Sequence, residues 1–426
     1  MEFNLREVLM KRALLQNKNV VLLLLGKAVS LLGSNMQQFA LSLYVLAITG
    51  SATIFSTMLA ISILPRILLT PFAGVFGDWF DRKKSIITLD FINAVLLGGY
   101  TFYFFTTGSL SIGSVYVLVI VLEITEIFFG SAMAAVLPSL VKKEELFDAN
   151  SLKTMVVSIA TMVAPMIAAT LYGLLGIQGI LLLNTITYAL SAFSECFIQI
   201  PKFHKRPETI NMVAFKKDFI EGLEIIKHHR IIRNIIGLGM VLNFCLGPLF
   251  SVGLFYVIKE VHGGSAFQIG LFSSILSLSM VLTPMFLGGF AKKVSIEKLL
   301  IYSFFVVSFI IMLLGLVITE GLLPSTSVFL YILLLSFVIG IFVTMANIAS
   351  GTMFDATVPK EAMGRVGTVM SLLMVIIQPI GQVLMGVAMD WISPEIPFYI
   401  LGVVMALSVI YYKKPFLQPL AEKEVA

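Results

Sequence analysis

The sequence predicts an all-α membrane protein with twelve transmembrane helices, arranged as two pseudo-symmetric six-helix bundles. The first observation behind this prediction is composition: of 426 residues, 58% are hydrophobic and only 12% are charged. A soluble protein carries roughly a quarter charged residues, so this chain cannot cover a surface that faces water. The second observation is length, which accommodates about twelve spans of about 20 residues with short connections. The third is an internal repeat.

The apolar runs divide evenly between the two halves of the chain. In the first half they predict spans near 20–48, 52–73, 85–107, 112–141, 149–173 and 177–199. In the second half they predict spans near 231–258, 266–289, 297–319, 325–354, 364–389 and 396–412.

Proline positions recur at an offset of roughly half the chain. Pro71, late in the second predicted span, corresponds to Pro284, late in the eighth. Pro165 in the fifth span corresponds to Pro379 in the eleventh. A near-constant offset predicts duplicated six-helix units, an arrangement common among membrane transporters.

The basic residues predict the orientation of the chain. With the amino terminus inside, nearly all of the 29 Lys and Arg residues fall on one side; the exceptions are Lys259 outside and Lys27 and Arg66 within spans. Because cytoplasmic loops of membrane proteins are enriched in basic residues, we expect both termini in the cytoplasm. The net charge of +5 has the same origin, so we expect no nucleic-acid partner.

The polar stretches predict five regions. Residues 1–19 form a cytoplasmic amphipathic segment rather than a cleaved signal peptide, and residues 20–200 form the amino-terminal bundle. Residues 201–230 are a cytoplasmic linker, residues 231–413 the carboxyl-terminal bundle and residues 414–426 a cytoplasmic tail. Within the linker, four apolar residues repeat at helical spacing and predict a helix on the inner membrane surface; they are Phe215, Phe219, Leu223 and Ile226.

Signatures of catalysis and metal binding are absent from the sequence. It contains neither a Walker GxxxxGK[ST] motif nor an HExxH motif, which would indicate a nucleotide-binding loop or a zinc enzyme. Its two cysteines, Cys196 and Cys245, fall inside predicted spans without the spacing of metal ligands. We therefore expect neither an enzyme nor a bound metal or other cofactor.

A charged stretch, GVFGDWFDRKK at 74–84, lies between the second and third predicted spans. It resembles the loop between helices 2 and 3 of the major facilitator superfamily, whose usual form is Gly-x-Leu-Ala-Asp-Arg-x-Gly-Arg-Arg/Lys. Trp79 and Asp81 depart from that pattern. We expect a sharp turn at two glycines, with the charged residues in water. The residues assigned to this gating loop are Gly74, Asp78, Asp81, Arg82 and Lys83.

Two further segments resemble one bacterial branch of this superfamily, which includes macrolide-efflux proteins and the enterobactin exporter. They are LPSLVKKEELFDANSL at 137–152 and ATVPKEAMGRVGTV at 356–369. The Ser-x-Leu-Gly stretch typical of helix 1 in that branch is present at 30–33.

The resemblance implies a secondary active transporter in the bacterial cell membrane. Such a protein exports amphipathic small molecules of macrolide, multidrug or siderophore type, confers antibiotic resistance, and works as an antiporter by alternating access. We expect a monomer in the lipid bilayer, driven by the proton gradient, with sodium still open as the coupling ion. Two alternatives also remain open: a lysophospholipid flippase and a non-transporting membrane sensor.

Charged side chains inside hydrocarbon are costly, and they suggest function where they occur. Glu123 and Glu126 are three residues apart, hence on one face of the fourth span. In this superfamily helices 1, 4, 7 and 10 line the central cavity, so the resemblance directs that face towards the substrate. We expect proton coupling or substrate contact there, especially at Glu126. The alternative is that one glutamate pairs with Arg66 or Lys27 only to satisfy helix packing.

The other intramembrane charges receive structural interpretations. Lys27 is close enough to the inner surface to extend its ammonium into water. Arg66 forms either an ion pair with a glutamate of span four or a packing contact. Asp90 belongs to the charge network of the loop, and Glu195 has a structural role near the inner edge.

Several amides fall in predicted cavity-lining helices, where they would contact substrate or bond to neighbouring helices. They are Asn35, Gln37, Gln38, Asn243 and Asn347.

Two cytoplasmic latches are predicted from the repeat. In the superfamily, the acid at the position of Asp78 meets the amino-terminal end of helix 11 when the cavity faces outward. That end carries Arg365 here, so attraction is added to the favourable helix dipole. The pseudo-symmetric positions hold Lys292 and Asp148, with both signs reversed.

Charge reversal tests the first latch. Asp78→Arg and Arg365→Asp should each reduce transport, because like charges then face each other, and the double variant should recover it. Transport is measured in membrane vesicles. A double variant that transports no better than the two single variants would contradict the pairing.

Overall fold

The computed structural model describes residues 17–79, 81–142, 145–199, 212–291, 294–319, 321–358 and 362–417. Helices account for nearly all of this part. In chain order they are α1 Lys18–Thr49, α2 Ala52–Trp79, α3 Arg82–Thr107, α4 Ile112–Leu140, α5 Leu146–Cys196, α6 Met212–His228, α7 Arg230–Pro248, α8 Ala266–Ala291, α9 Ile296–Ile318, α10 Ser325–Thr357, α11 Met363–Trp391 and α12 Glu395–Leu417.

Eleven helical stretches of the described part are long and apolar enough to cross a membrane. One of them, Leu152–Cys196, has 45 residues and would be about 68 Å long as a straight helix, twice the thickness of the hydrocarbon core. It is interrupted at Gly176, whose φ of 65° and ψ of −172° are not helical. Since α5 thus holds two crossings, the described residues contain twelve, as the sequence predicts.

The seventh crossing, Arg230–Val261, is not a uniform α-helix. After α7 it continues through π-helical turns at Leu249–Gly253 and Val257–Val261, which flank the α-helical turn Leu254–Tyr256. Such π turns shift the face that a helix presents to its neighbours.

The predicted sharp turn at Gly74 and Gly77 is wrong. Both residues lie within α2, which continues to Trp79, and α3 begins at Arg82. Asp81 forms the connection and caps α3, since its side chain accepts a hydrogen bond from the Lys84 backbone N–H at 3.2 Å. An unbroken helix satisfies backbone hydrogen bonds that a turn at the membrane edge would expose, which outweighs the helix penalty of about 1 kcal/mol per glycine.

The described residues group into two compact units. The first contains those up to Val45 and those of Ile61–Ile210; the second contains those of Leu46–Ala60 and those from Asn211 onward. In the first unit an apolar cluster joins α1, α3, α4 and α5 through buried residues that include Val20, Ile86 and Phe129.

The second unit includes the linker helix α6, which exists as predicted. Part of its apolar face is covered by protein, because Phe219 and Ile226 pack against Val366 and Val369 of α11, while Leu223 on the same helix is exposed. At Gly222 the two helices approach so closely that a Cβ would lie 2.9 Å from the Arg365 carbonyl oxygen. Packing against a neighbouring apolar face satisfies the same amphipathic pattern that predicted a surface helix.

The segment Leu46–Ala60 is anchored within the second unit by a helix cap. The Asp390 carboxylate accepts hydrogen bonds from the Ser51 hydroxyl at 2.7 Å and from the Ala52 and Thr53 backbone N–H groups at 2.8 and 2.9 Å. A carboxylate there satisfies backbone donors at the start of α2 and complements the helix dipole.

Candidate functional site

The first unit contains a polar cavity of about 200 Å³ between α1, α2, α4 and α5. Six of the residues singled out from the sequence line it: Asn35, Gln37, Gln38, Arg66, Glu123 and Glu126. Amides and charged groups that converge on one concave surface are typical of a small-molecule site.

One ion pair connects α2 to α4 at this cavity. The Arg66 Nη2 and Nε atoms both donate to Oε1 of Glu123, at 2.6 and 2.7 Å. The Glu123 side chain is 19% exposed and that of Arg66 is 55% exposed. The guanidinium therefore holds the carboxylate, while more than half of the Arg66 side chain is exposed.

A second ion pair connects α1 to α4. The Lys27 Nζ atom donates to Glu126 Oε1 at 3.1 Å, and it lies 5.0 Å from the centre of the Phe129 ring. The prediction that Lys27 extends to the inner surface is therefore wrong. The Glu126 carboxylate and the face of the Phe129 ring stabilise the ammonium inside the unit. The side chain therefore does not need to extend to the membrane surface.

The two pairs make the charges of the cavity balance. Glu123 and Glu126 are one turn apart on α4, and each faces a cation from a different helix. A ligand cation or a proton that binds either carboxylate must compete with Arg66 or Lys27. The site can therefore exchange one positive charge for another.

Hydrogen bonds between α1 and α5 support the cavity. The Asn184 amide donates to Gln37 Oε1, and the Ser34 hydroxyl bonds to that of Tyr188 at 2.8 Å. The side-chain nitrogens of Asn35 and Gln37 are buried and have no hydrogen-bond partner within the described part of the chain. Buried donors without partners are unfavourable, so these two are candidates for ligand contact.

Close packing at Gly33 explains why the Ser-x-Leu-Gly stretch ends in glycine. The side-chain oxygens of Asn184 and Thr187 occupy the space that a Cβ at this position would need. Glycine thus allows α5 to approach α1 closely enough to bring Asn184 to the cavity.

The two remaining amides do not line this cavity. Asn243 and Asn347 both belong to the second unit. Asn243 donates to the Gly239 carbonyl oxygen on its own helix at 2.9 Å, and the Asn347 side chain is exposed.

Two carboxylates that were given structural roles are buried inside the first unit. Asp90 on α3 and Glu195 on α5 are each 1% exposed. Among the described residues, Asp90 interacts electrostatically with Lys27 and Glu126. Helix α3 therefore directs this residue inward, and its predicted link to the charged loop stays a prediction, because the Asp78 side chain lies outside the described part.

The predicted latches fall largely outside the described residues. That is true of Lys292 and of the side chains of Asp78 and Asp148. Arg365 is described and forms an ion pair with Glu221 of α6, with 2.7 Å between Nη1 and Oε2. Of the other loop residues, Arg82 begins α3, and the Lys83 ammonium donates to the Cys196 carbonyl oxygen at 2.7 Å.

Sequence reasoning missed several cavity residues, namely Ser34, Ser62, Asn184 and Tyr188. Asn184 had a usable signal, since it is a single amide in the apolar run ILLLNTITYAL. The hydroxyl residues had none, because serine and tyrosine are common in membrane helices that bind nothing.

Twelve membrane crossings within the described residues, together with a charged, amide-lined cavity inside the first unit, are features common among membrane transporters. The sequence model of the Major Facilitator Superfamily matches residues 23–320. The chain belongs to that superfamily.

Named relatives and solved structures agree with this assignment. Macrolide efflux protein A of Streptococcus pyogenes is 25% identical over 382 residues, which cover 89% of this chain and 91% of the relative. This similarity is consistent with the macrolide-efflux branch. A bacterial homologue of the iron transporter ferroportin in its inward-facing state has a TM-score of 0.68 at 18% identity, covering 93% of this chain and 97% of its own. A POT family transporter in complex with a thioalcohol-conjugated peptide has a TM-score of 0.72 at 13% identity, covering 94% and 96%.

Removing one partner of the Lys27–Glu126 pair should destabilise the protein. Lys27→Met and Glu126→Gln should each cost roughly 1–3 kcal/mol, because a partly buried charge loses its partner. The double variant should cost less than the sum of the two. Thermal unfolding of the purified protein in detergent measures this, and strictly additive losses would show that the two side chains do not stabilise each other.

Proposed function

We propose that the protein is a proton-coupled exporter of amphipathic small molecules of macrolide, multidrug or siderophore type, working by alternating access. The observation that carries the proposal is the pair of carboxylates on α4, each facing a cation in a cavity lined by amides. The similarity to a protein named macrolide efflux protein A supports this substrate class.

Competition between the proton and a cationic substrate for the carboxylates couples proton movement to substrate movement. With both ion pairs ionised, the four charged groups carry no net charge. A cationic amphiphile can then replace Lys27 beside Glu126, while its apolar body contacts the rest of the cavity. Protonation of Glu126 removes that negative charge and leaves an excess positive charge. Two unit charges 4 Å apart repel by about 4 kcal/mol at an effective dielectric constant of 20, so proton and cation exclude each other.

Mutual exclusion is what an antiporter requires. The proton and the substrate bind the same site in turn, and each must leave before the other binds. With both termini in the cytoplasm, as the basic residues predict, inward movement of protons would drive substrate outward. Sodium could compete in the same way, and the experiment below distinguishes the two ions.

A lysophospholipid flippase is the second candidate, and the exposed side chain of Arg66, a residue that also lines the cavity, favours it. With 55% of its side chain accessible, Arg66 could bind a phosphate group. In that case transport would need no proton, and Glu126 would serve only to hold Lys27.

Transport in inverted membrane vesicles tests the proposal. Vesicles with an acidic interior receive a macrolide, a cationic dye, a siderophore or a lysolipid, and the internal pH is followed. A substrate of the exporter should raise the internal pH as it enters, and Glu126→Gln should abolish this rise.

Glu260→Gln is the matched control, since Glu260 is exposed and lies outside the cavity; it should transport normally. If substrate uptake depends on a sodium gradient and does not depend on a pH gradient, sodium is the coupling ion instead of the proton. Lysolipid movement that is independent of either gradient would contradict antiport and support the flippase.

A further inference from the structure

The second unit has a groove of about 230 Å³ between the start of α9 and the end of α12. The exporter scheme above does not use this groove, because the paired carboxylates lie in the first unit. Ile301 and Val409 are buried and form its floor, whereas Tyr302, Phe305 and Ile410 are exposed and form its walls. The groove is therefore open at the surface of the unit, and most of its lining is apolar.

Two lysines line the same end of this groove. Lys298 is the third residue of α9, and Lys413 is the fifth from the end of α12. Both residues are exposed. Phe305 lies seven residues further along α9, about 10 Å from Lys298 along the helix axis. The groove therefore has a cationic end and an apolar body.

The described residues do not balance the charge of the two lysines. None of the ion pairs in this part of the chain includes Lys298 or Lys413. Glu297 precedes Lys298 in the chain but does not line the groove. Two ammonium groups at one end of a groove repel each other, and an anion bound between them replaces this repulsion with two attractions. The groove therefore favours an anionic ligand.

An exposed apolar stripe continues from the groove along both helices. Its members are spaced three, four or seven residues apart, so they share one face of each helix. On α9 they are Phe309 and Leu316, and on α12 they are Leu407, Val403 and Ile400. From Lys298 to Leu316 the stripe is about 27 Å long, which is most of the thickness of the hydrocarbon core. A soluble anion would contact only the lysines, whereas a lipid would also cover the apolar stripe.

We propose that this groove binds an anionic phospholipid, whose phosphate lies between the Lys298 and Lys413 ammonium groups and whose acyl chains follow the apolar stripe. Lysine binds phosphate as a point charge, and basic pockets between membrane helices on the cytoplasmic side are typical sites for anionic lipids. The lysine end of the groove is on the side of the carboxyl terminus, which the basic residues predict to be cytoplasmic. The bound lipid joins α9 to α12 through its headgroup.

Native mass spectrometry of the purified full-length protein tests the proposal, because it resolves the number and the mass of bound lipids. The delipidated protein in detergent receives phosphatidylglycerol, which is anionic, or phosphatidylethanolamine, which is zwitterionic, with the same acyl chains. The wild type should retain one phosphatidylglycerol in preference to phosphatidylethanolamine. Lys298→Gln and Lys413→Gln should each weaken phosphatidylglycerol binding about fivefold, the effect of one lysine beside an anionic lipid surface. The double variant should lose the preference.

Two controls make the assignment specific. Lys227 is an exposed lysine of the same unit that does not line the groove. Lys227→Gln therefore makes the same change in net charge and should bind phosphatidylglycerol as the wild type does. Glycerol phosphate, which carries the charge without acyl chains, should not displace the lipid. Since transport is not measured, the result is independent of the exporter scheme.

Fluorescence quenching by brominated acyl chains provides a second measurement. Phe305→Trp is made in a chain whose two native tryptophans, Trp79 and Trp391, are replaced by phenylalanine. Brominated phosphatidylglycerol should quench this tryptophan more strongly than brominated phosphatidylcholine, because the bound lipid places its acyl chains in the groove. Lys298→Gln should remove the difference.

Three results would overturn the proposal. One is equal binding of the anionic and the zwitterionic lipid by the wild type, which would show only general contact with the membrane. Another is a loss of binding in Lys227→Gln as large as in the groove variants, which would show a response to net charge alone. The third is displacement of the lipid by glycerol phosphate, which would show a site for a soluble phosphate.

Discussion

The structure of the first unit depends on the cost of placing charge in hydrocarbon. Each ionised group inside a membrane bundle needs a partner, because the surrounding hydrocarbon cannot solvate its charge. Lys27 meets this requirement for several groups at once: it bonds to Glu126, contacts the Phe129 ring, and interacts with Asp90 and Glu195. One ammonium on α1 therefore connects the charges of α3, α4 and α5.

Balanced charge also explains how such a cavity could be both stable and responsive. Ion pairs that cross between helices are favourable only while both partners remain charged. In the proposed scheme, the arrival of a proton or a cationic ligand changes the partner of Lys27 or Arg66, and the neighbouring groups must adjust. In a transporter of this superfamily, ion pairs that respond to a bound proton or ligand can link the occupancy of the cavity to the packing of the helices around it.

Much of the fold follows directly from the sequence. Long apolar runs predict the crossings to within a few residues, because the bilayer permits few alternatives to helices of that length. The error at Gly74 has a physical origin: glycine permits a turn but does not require one, and continuation of α2 keeps its backbone bonded. The amphipathic pattern of α6 correctly predicts a helix, but it indicates burial without saying whether lipid or protein covers the apolar face.

The site was harder to predict, for geometrical reasons. Spacing along one helix correctly placed Glu123 and Glu126 on one face. It could not show that Lys27 meets Glu126, because that contact depends on the rotation of α1 against α4. Asp90 and Glu195 lie far apart in the chain and near helix ends, where charged residues are usually solvated. Only the packing of α3 against α5 shows that they are buried together.

The central claim is that a proton and a cationic substrate compete for the carboxylates of the cavity. Its most direct test is the dissociation constant of a cationic macrolide for the purified protein, measured across a range of pH. Since the carboxylate binds the cation, and the macrolide amine itself loses its charge in alkaline buffer, affinity should be highest near neutral pH and fall in acidic buffer. Glu126→Gln should bind weakly, with little dependence on pH. A wild-type affinity that stays constant from neutral to acidic pH would contradict the account.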